Sequence, residues 1–204
     1  MRILCVIAFF LAMLEARLYV GFEAGYSTQG IQTAEAPNNF SVSAITLNSL
    51  ADSLENQSRG YTLNLVFGNE HIVANVFGSR IGVGVGYTQT HDQTDYRFVD
   101  LSLNGALMLD LYNDGNYSAG IFGGAEVGYQ YVMREKPIAT QSPHLLNLYG
   151  NTGFSFLIAR HHRLDFVAKL PLSSVSFFDG KQMLIGGKRV FVRTSFLGSY
   201  KYVF

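Results

Sequence analysis

The sequence predicts an all-β protein, an eight-stranded antiparallel transmembrane β-barrel behind an N-terminal signal peptide. Three observations predict it. Apolar residues recur at every second position in eight separate stretches, opposed by glycine, polar or charged residues, the mark of strands with two different environments. The 204 residues include 21 glycines, 12 tyrosines, 16 phenylalanines and no tryptophan; small residues suit a tight lumen and rings suit a lipid face. Beyond the N-terminal leader, no apolar run approaches the roughly 20 residues a membrane helix needs, so any crossing is made by strands.

The leader is the first element. Arg2 precedes a run from Ile3 to Leu14 that is apolar apart from Cys5. Its length suits a signal-peptide h-region and is too short to span a bilayer as a helix. Cleavage after Ala16 divides the chain into a signal peptide, 1–16, and a barrel, 17–204; an uncleaved anchor is the alternative. Cys5 is the only cysteine, so the remainder has no disulfide framework. The net charge is zero, and no basic run points to nucleic acid.

The strands follow in order. Leu18 to Thr28 alternates Leu18, Val20, Phe22, Ala24 and Tyr26 against Tyr19, Gly21, Glu23, Gly25 and Ser27. A long polar segment follows, with Pro37-Asn38-Asn39 as a breaker. The second strand is Tyr61 to Gly68 and the third Ile81 to Thr88, with Asn69 to Arg80 between them as a connection. The fourth opposes Val99, Leu101, Leu103, Leu107, Leu109 and Leu111 to Asp100, Ser102, Asn104, Ala106 and Asp110. Asp114-Gly115 then forms a tight turn, because this pair tolerates positive φ. The fifth strand, Tyr117 to Tyr131, has Phe122 on its polar side. The sixth is Leu146 to Leu157. The seventh is Arg163 to Leu172 and is ended by Pro171, which cannot donate in a ladder. The eighth closes the chain. About 9–11 residues per strand suffice for a tilted crossing. Connections are long after the first, fifth and seventh strands and very short after the fourth and sixth, the asymmetry of outer loops and periplasmic turns. The connections after the second and third strands break it.

Tyrosines and phenylalanines at the ends of the apolar rows suit interfacial girdles. Turning the faces inside out would give a soluble barrel with an apolar lumen. In the membrane reading, Glu23, Asp100, Asp110, Glu126, Arg163, Asp165, Lys169, Arg193 and Lys201 point inward. Closure makes the first and last strands neighbours, so Glu23 can pair with Arg193 or Lys201, and Asp165 with Arg193. An unpaired buried charge is costly. The set therefore reads as a space-filling salt-bridge network, with an ion or proton path as the alternative, since eight strands leave room for side chains and none for an open pore.

Other sites are weaker. Ser142 with His144 is the only nearby nucleophile-and-base pair, and no acid is placed to orient it. His161-His162 falls in a turn; His71 and His91 are isolated, and no spacing recommends a metal site. Gly82-Val83-Gly84-Val85-Gly86 alternates as a strand and lacks the helix of a phosphate loop. The residues give no catalytic group, metal or cofactor.

The ending Tyr200-Lys201-Tyr202-Val203-Phe204 resembles the closing strand of bacterial outer-membrane barrels. That resemblance implies an assembly-signal role for Tyr200, Tyr202 and Phe204. Leu148-Tyr149-Gly150-Asn151-Thr152-Gly153, His161-His162-Arg163-Leu164-Asp165-Phe166 and Lys169-Leu170-Pro171-Leu172 are similar to the C-terminal barrel of the Helicobacter outer-membrane protein family. Ala119-Gly120-Ile121-Phe122-Gly123-Gly124 resembles that family's Gly-x-Phe-Gly-Gly strand. The resemblance implies a bacterial outer-membrane location and an adhesin-like or porin-like role. The cysteine-bearing extracellular region of the adhesin members and the tryptophan after the Gly-x-Phe strand are missing, so a small barrel-only member fits best. The partners expected are outer-membrane lipid and lipopolysaccharide, the barrel-assembly machinery and a host-surface ligand. The expected function is structural or surface-interacting through the loops, with a small pore and a lipid-modifying enzyme as alternatives.

Overall fold

A computed structural model describes residues 17–34, 58–73, 76–91, 96–133, 144–177 and 188–204, without side chains at 30–34, 96, 174–177 and 188–192. The leader and the polar segment 35–57 lie outside the described residues. Eight antiparallel strands close into one barrel: β1 (Arg17–Ala34), β2 (Ser58–Val73), β3 (Phe77–His91), β4 (Tyr96–Asn113), β5 (Ser118–Met133), β6 (His144–Ile158), β7 (His162–Phe177) and β8 (Lys188–Val203). Each pairs with its sequence neighbour, and β1 pairs with β8 from Tyr19↔Val203 to Ala34↔Lys188. β7 pairs with β8 from His162↔Tyr202 to Lys169↔Ser195, and the sheet closes on itself, as hydrocarbon demands.

The strands are 15 to 18 residues long, longer than the apolar alternation predicts. Hydrogen-bonded pairing continues where the apolar alternation of an individual strand fades. Asn69–Arg80 shows this most clearly. It is not a connection: β2 runs to Val73, β3 starts at Phe77, and Glu70 pairs directly with Arg80. The linkers at one end are thereby 74–76, 114–117 and 159–161, and at the other 35–57, 92–95, 134–143 and 178–187. We call these the turn end and the loop end.

Pro171 does not end β7. The register shifts there, from Leu148↔Ser173 to Tyr149↔Pro171, so Leu172 is the extra residue of a bulge. Bulges are among the few places where a sheet accepts a proline. A second shift at Asp110/Tyr112 marks the end of β4. In the turn that follows, Gly115 alone has positive φ, at 86°. Asp114 accepts hydrogen bonds from the Asn116 and Tyr117 amides at 2.9 and 2.7 Å. The backbone donors draw the Asp114 carboxyl below its ordinary range. The β6–β7 turn holds Ala159 and Arg160 at φ 51° and 66°, a conformation disfavoured for side-chain-bearing residues. It is tied down by Asn116, which takes Arg160 N at 2.9 Å and Arg160 Nε at 2.6 Å.

Outward positions carry a belt of large apolar side chains, with Leu107 73% and Leu111 72% exposed. A water-facing surface does not carry a continuous patch of this kind; lipid does. Inward positions hold the charges, which rules out the inverted, apolar-lumen reading. Phe122 points inward, as the sequence pattern has it, and is buried with Met108, Val167 and Leu197 at mid-height. Glycines make room for the inward rings: a Cβ at Gly82 would strike the Tyr19 hydroxyl, and one at Gly153 would meet the Phe122 ring at 2.9 Å.

Candidate functional site: the charged interior

Period-two alternation puts one residue in two into the lumen, and among the described residues six carboxylates and five cations are buried there: Glu23, Glu70, Asp100, Asp110, Glu126 and Asp165 with Arg80, Arg163, Lys169, Arg193 and Lys201. Arg17, a third exposed, joins at the rim. Near-equal numbers are what a low-dielectric interior requires, since each charge needs a counter-charge within contact.

The turn end holds a multi-centre cluster. Asp165 meets Arg80 Nη1 at 2.8 Å and Lys201 Nζ at 2.6 Å, and Ser155 Oγ donates to it at 2.6 Å. Glu70 meets Arg17 at 2.9 Å, Arg163 Nε at 3.0 Å and Arg80 at 3.8 Å. The Arg80 guanidinium lies 5.7 Å from the centres of both the Tyr19 and Phe122 rings, a favourable cation–π placement. At mid-height Lys169 bridges Glu23 at 3.2 Å and Glu126 at 2.8 Å. Asn64 also donates to Glu23, at 3.0 Å. Lys201, 3.7 Å from Glu23, links the two groups.

Towards the loop end, among the described residues, there is one pair. Arg193 Nη1 meets Asp100 Oδ2 and Thr88 Oγ1, both at 2.7 Å, with the Tyr149 ring 5.5 Å away. This strut crosses the lumen from β8 to β4. A chain of hydroxyls runs round the wall beside it, Ser195–Ser27 at 2.8 Å, Ser27–Thr62 at 2.6 Å and Thr62–Thr88 at 2.8 Å. Above it Phe98, Val132 and Leu145, inward residues of β4, β5 and β6, form a buried apolar cluster.

The structure thus places every sequence-predicted interior residue inside and changes the pairing. Glu23 reaches Lys201 and not Arg193, because Arg193 is taken by Asp100; Asp165 pairs with Arg80 and Lys201, not with Arg193. Asp110 is buried and accepts from Asn113 at 3.0 Å. Glu70 and Arg80 escaped the sequence reading, although Val66-x-Gly68-x-Glu70 and Arg80-x-Gly82-x-Gly84 continue the inward rows unbroken.

The C-terminal aromatics sit outside, at the turn end. Phe204 N donates to Leu18 O at 2.8 Å and Val203 N to His161 O at 2.7 Å. His161 stacks on Tyr202 at 5.6 Å, His162 Nδ1 lies 2.7 Å from the Tyr200 hydroxyl, and Tyr202 meets Phe204 edge-on. The histidine pair therefore fastens the last strand. Ser142 lies outside the described residues; His144 Nδ1 is 2.5 Å from the Tyr129 hydroxyl on the outer face.

Between Glu23, Arg80, Glu126, Lys169 and Lys201 lies a cavity of about 30 Å³, enough for a water or two. A closed eight-stranded barrel with a lipid-facing apolar belt and a salt-bridged lumen defines an integral outer-membrane barrel protein. The chain belongs to the Helicobacter outer membrane protein family, whose sequence profile matches residues 8–204. Its compartment is accordingly the bacterial outer membrane. Among solved structures it is similar to Neisserial surface protein A (13% identity, 92% of this chain and 97% of that one, TM-score 0.51). It is also similar to OprG of Pseudomonas aeruginosa (13%, 93% and 97%, TM-score 0.46) and Ail, the attachment invasion locus protein of Yersinia pestis (16%, 93% and 99%, TM-score 0.40). At these identities the likeness is one of fold. No curated protein matches the chain.

Proposed function

We propose that the protein is a surface-interaction barrel, adhesin-like in role, whose walls are a scaffold and whose loop end faces outward and contacts a host-surface ligand. The supporting observation is the bridged lumen: ion pairs span it at the turn end, at mid-height and towards the loop end, the build of a scaffold whose activity resides in what the strands present. Short linkers at one end and the long 35–57 linker at the other support the orientation. Tyr200, Tyr202 and Phe204 serve as the assembly signal read by the barrel-assembly machinery, after the 1–16 signal peptide has been removed. Replacing residues 35–57 with a short glycine-serine turn should abolish binding to host cells and leave barrel folding intact. Unchanged binding would overturn the assignment. A small pore would show stepwise conductance in single-channel recordings of the refolded protein, which the bridged lumen disfavours. Altered lipopolysaccharide mass in a deletion strain would instead point to a lipid-modifying enzyme.

A further inference from the structure

The loop end carries a second charged feature, on the outside of the wall. Arg59 of β2 and His91 of β3 are directly opposed, as are Gln89 of β3 and Arg97 of β4. All four face outward. Opposed residues on one face lie about 5 Å apart at Cβ and diagonal ones about 7–8 Å, so the two guanidinium groups and the imidazole border one patch across three strands. Arg59 and Arg97 are exposed, and neither has a carboxylate partner among the described residues: the described carboxylates are in the lumen or in the β4–β5 turn.

The height of the patch is fixed by its neighbours. Immediately towards the midplane, the Tyr61 and Tyr87 hydroxyls both donate to Gln89 Oε1, at 2.9 and 3.1 Å. Below them the outward side chains are Leu63, Leu65, Val85 and Leu101, all half exposed. Tyrosines whose hydroxyls form a polar seam above such a belt mark the border between headgroups and hydrocarbon. The contrast with the turn end is informative. There Arg160 is bound to Asn116, and His161 and His162 to the last strand. Among the described residues, the outward arginines of the loop end have no carboxylate partner.

We propose that Arg59 and Arg97 bind the phosphate groups of an outer-leaflet glycolipid of the lipid A class, its acyl chains lying on the leucine and valine belt below. Guanidinium forks match phosphate oxygens in charge and in geometry. The proposal rests on the outward orientation of the loop end given above.

The test is retention of lipid A by the full chain purified in detergent, read by native mass spectrometry. R59A/R97A should weaken retention about tenfold or more, the loss of at least one charge-assisted contact, and dephosphorylated lipid A should be lost to the same degree from the unaltered protein. R160A, at the other end, should retain lipid A. Equal retention by R59A/R97A would overturn the site, and displacement by inorganic phosphate at the lipid concentration would overturn the lipid as occupant. Should R59A/R97A fail to refold, R59Q/R97Q carries the same expectation. An impermeant thiol reagent should miss D114C on intact cells. Labelling there would overturn the orientation, and with it the leaflet, whatever the lipid measurement gives.

Discussion

The two halves of the lumen are bridged by different chemistry. At the turn end two carboxylates are shared between cations: Asp165 between Arg80 and Lys201, Glu70 among Arg17, Arg163 and Arg80. At the loop end, among the described residues, one cation faces one anion, Arg193 to Asp100, supported by hydroxyls and lying below the cluster of Phe98, Val132 and Leu145. A shared arrangement keeps some counter-charge when a peripheral member is lost and fails when its hub is lost. A one-to-one strut has no such reserve. The short turns hold the first kind rigid; the second lies beneath the long linkers proposed to contact a ligand.

The largest effect is expected at the hub. Asp165→Asn leaves Arg80 and Lys201 buried with weakened compensation, since Glu70 and Glu23 lie at 3.8 and 3.7 Å from them. Breaking a buried ion pair costs about 3–5 kcal/mol, and D165N should reach that loss in urea unfolding from lipid vesicles. A neutral D165N would remove the distinction between hub and periphery.

Arg193→Ala follows. It leaves Asp100 with the Thr88 hydroxyl, which donates to it at 3.3 Å, and a loss of about 3 kcal/mol is expected by the same reasoning. Conductance should be unchanged, because the mid-height and turn-end ion pairs still bridge the lumen. Replacing both partners, R193L/D100L, should recover much of that loss, since a well-packed apolar pair is often as stable as a buried ion pair. Failure of the double variant to recover would mean that the hydroxyl chain, and not the charge pair, governs this half.

How much of this was legible in the sequence depends on the face and the depth. Where one face meets lipid, Leu and Val alternate with Gly, Asp and Asn, and the strands, the inward set and Phe122 follow from spacing alone. Near the turn end the apolar alternation of an individual strand fades, as at Asn69, Glu70, His71 and Ser79, Arg80, although the ladder continues. That is why Glu70 and Arg80 were missed. The pairing of Arg193 with Asp100 was out of reach for another reason. It spans the lumen between strands that are not neighbours in the barrel, and its choice over Glu23 depends on which strands the closed barrel sets face to face. Pro171 misled because a bulge, unlike a strand end, leaves no mark in composition.

Removing the periphery is the next prediction. Arg17→Ala takes one cation from Glu70 but leaves Arg163 at 3.0 Å. Arg17 is a third exposed, so solvent already screens its pair. A loss below about 1 kcal/mol is expected in the same urea unfolding. A loss equal to that of D165N would show the turn-end cluster to be a chain without redundancy.

The smallest effect is expected outside the membrane, at the β4–β5 turn. The amides of Asn116 and Tyr117 hold the Asp114 carboxyl below its ordinary range in the folded state. A carboxylate so depressed adds its full stabilisation above the ordinary carboxylate range and loses it as the pH falls through its lowered folded value. Wild type should therefore exceed D114N slightly in stability at neutral pH, and the gap should close in acid. Because Asp114 is fully exposed, the gap should be the narrowest of the series. A gap that widened on acidification would show that the turn is held by Asn113 and Gly115 rather than by this carboxylate.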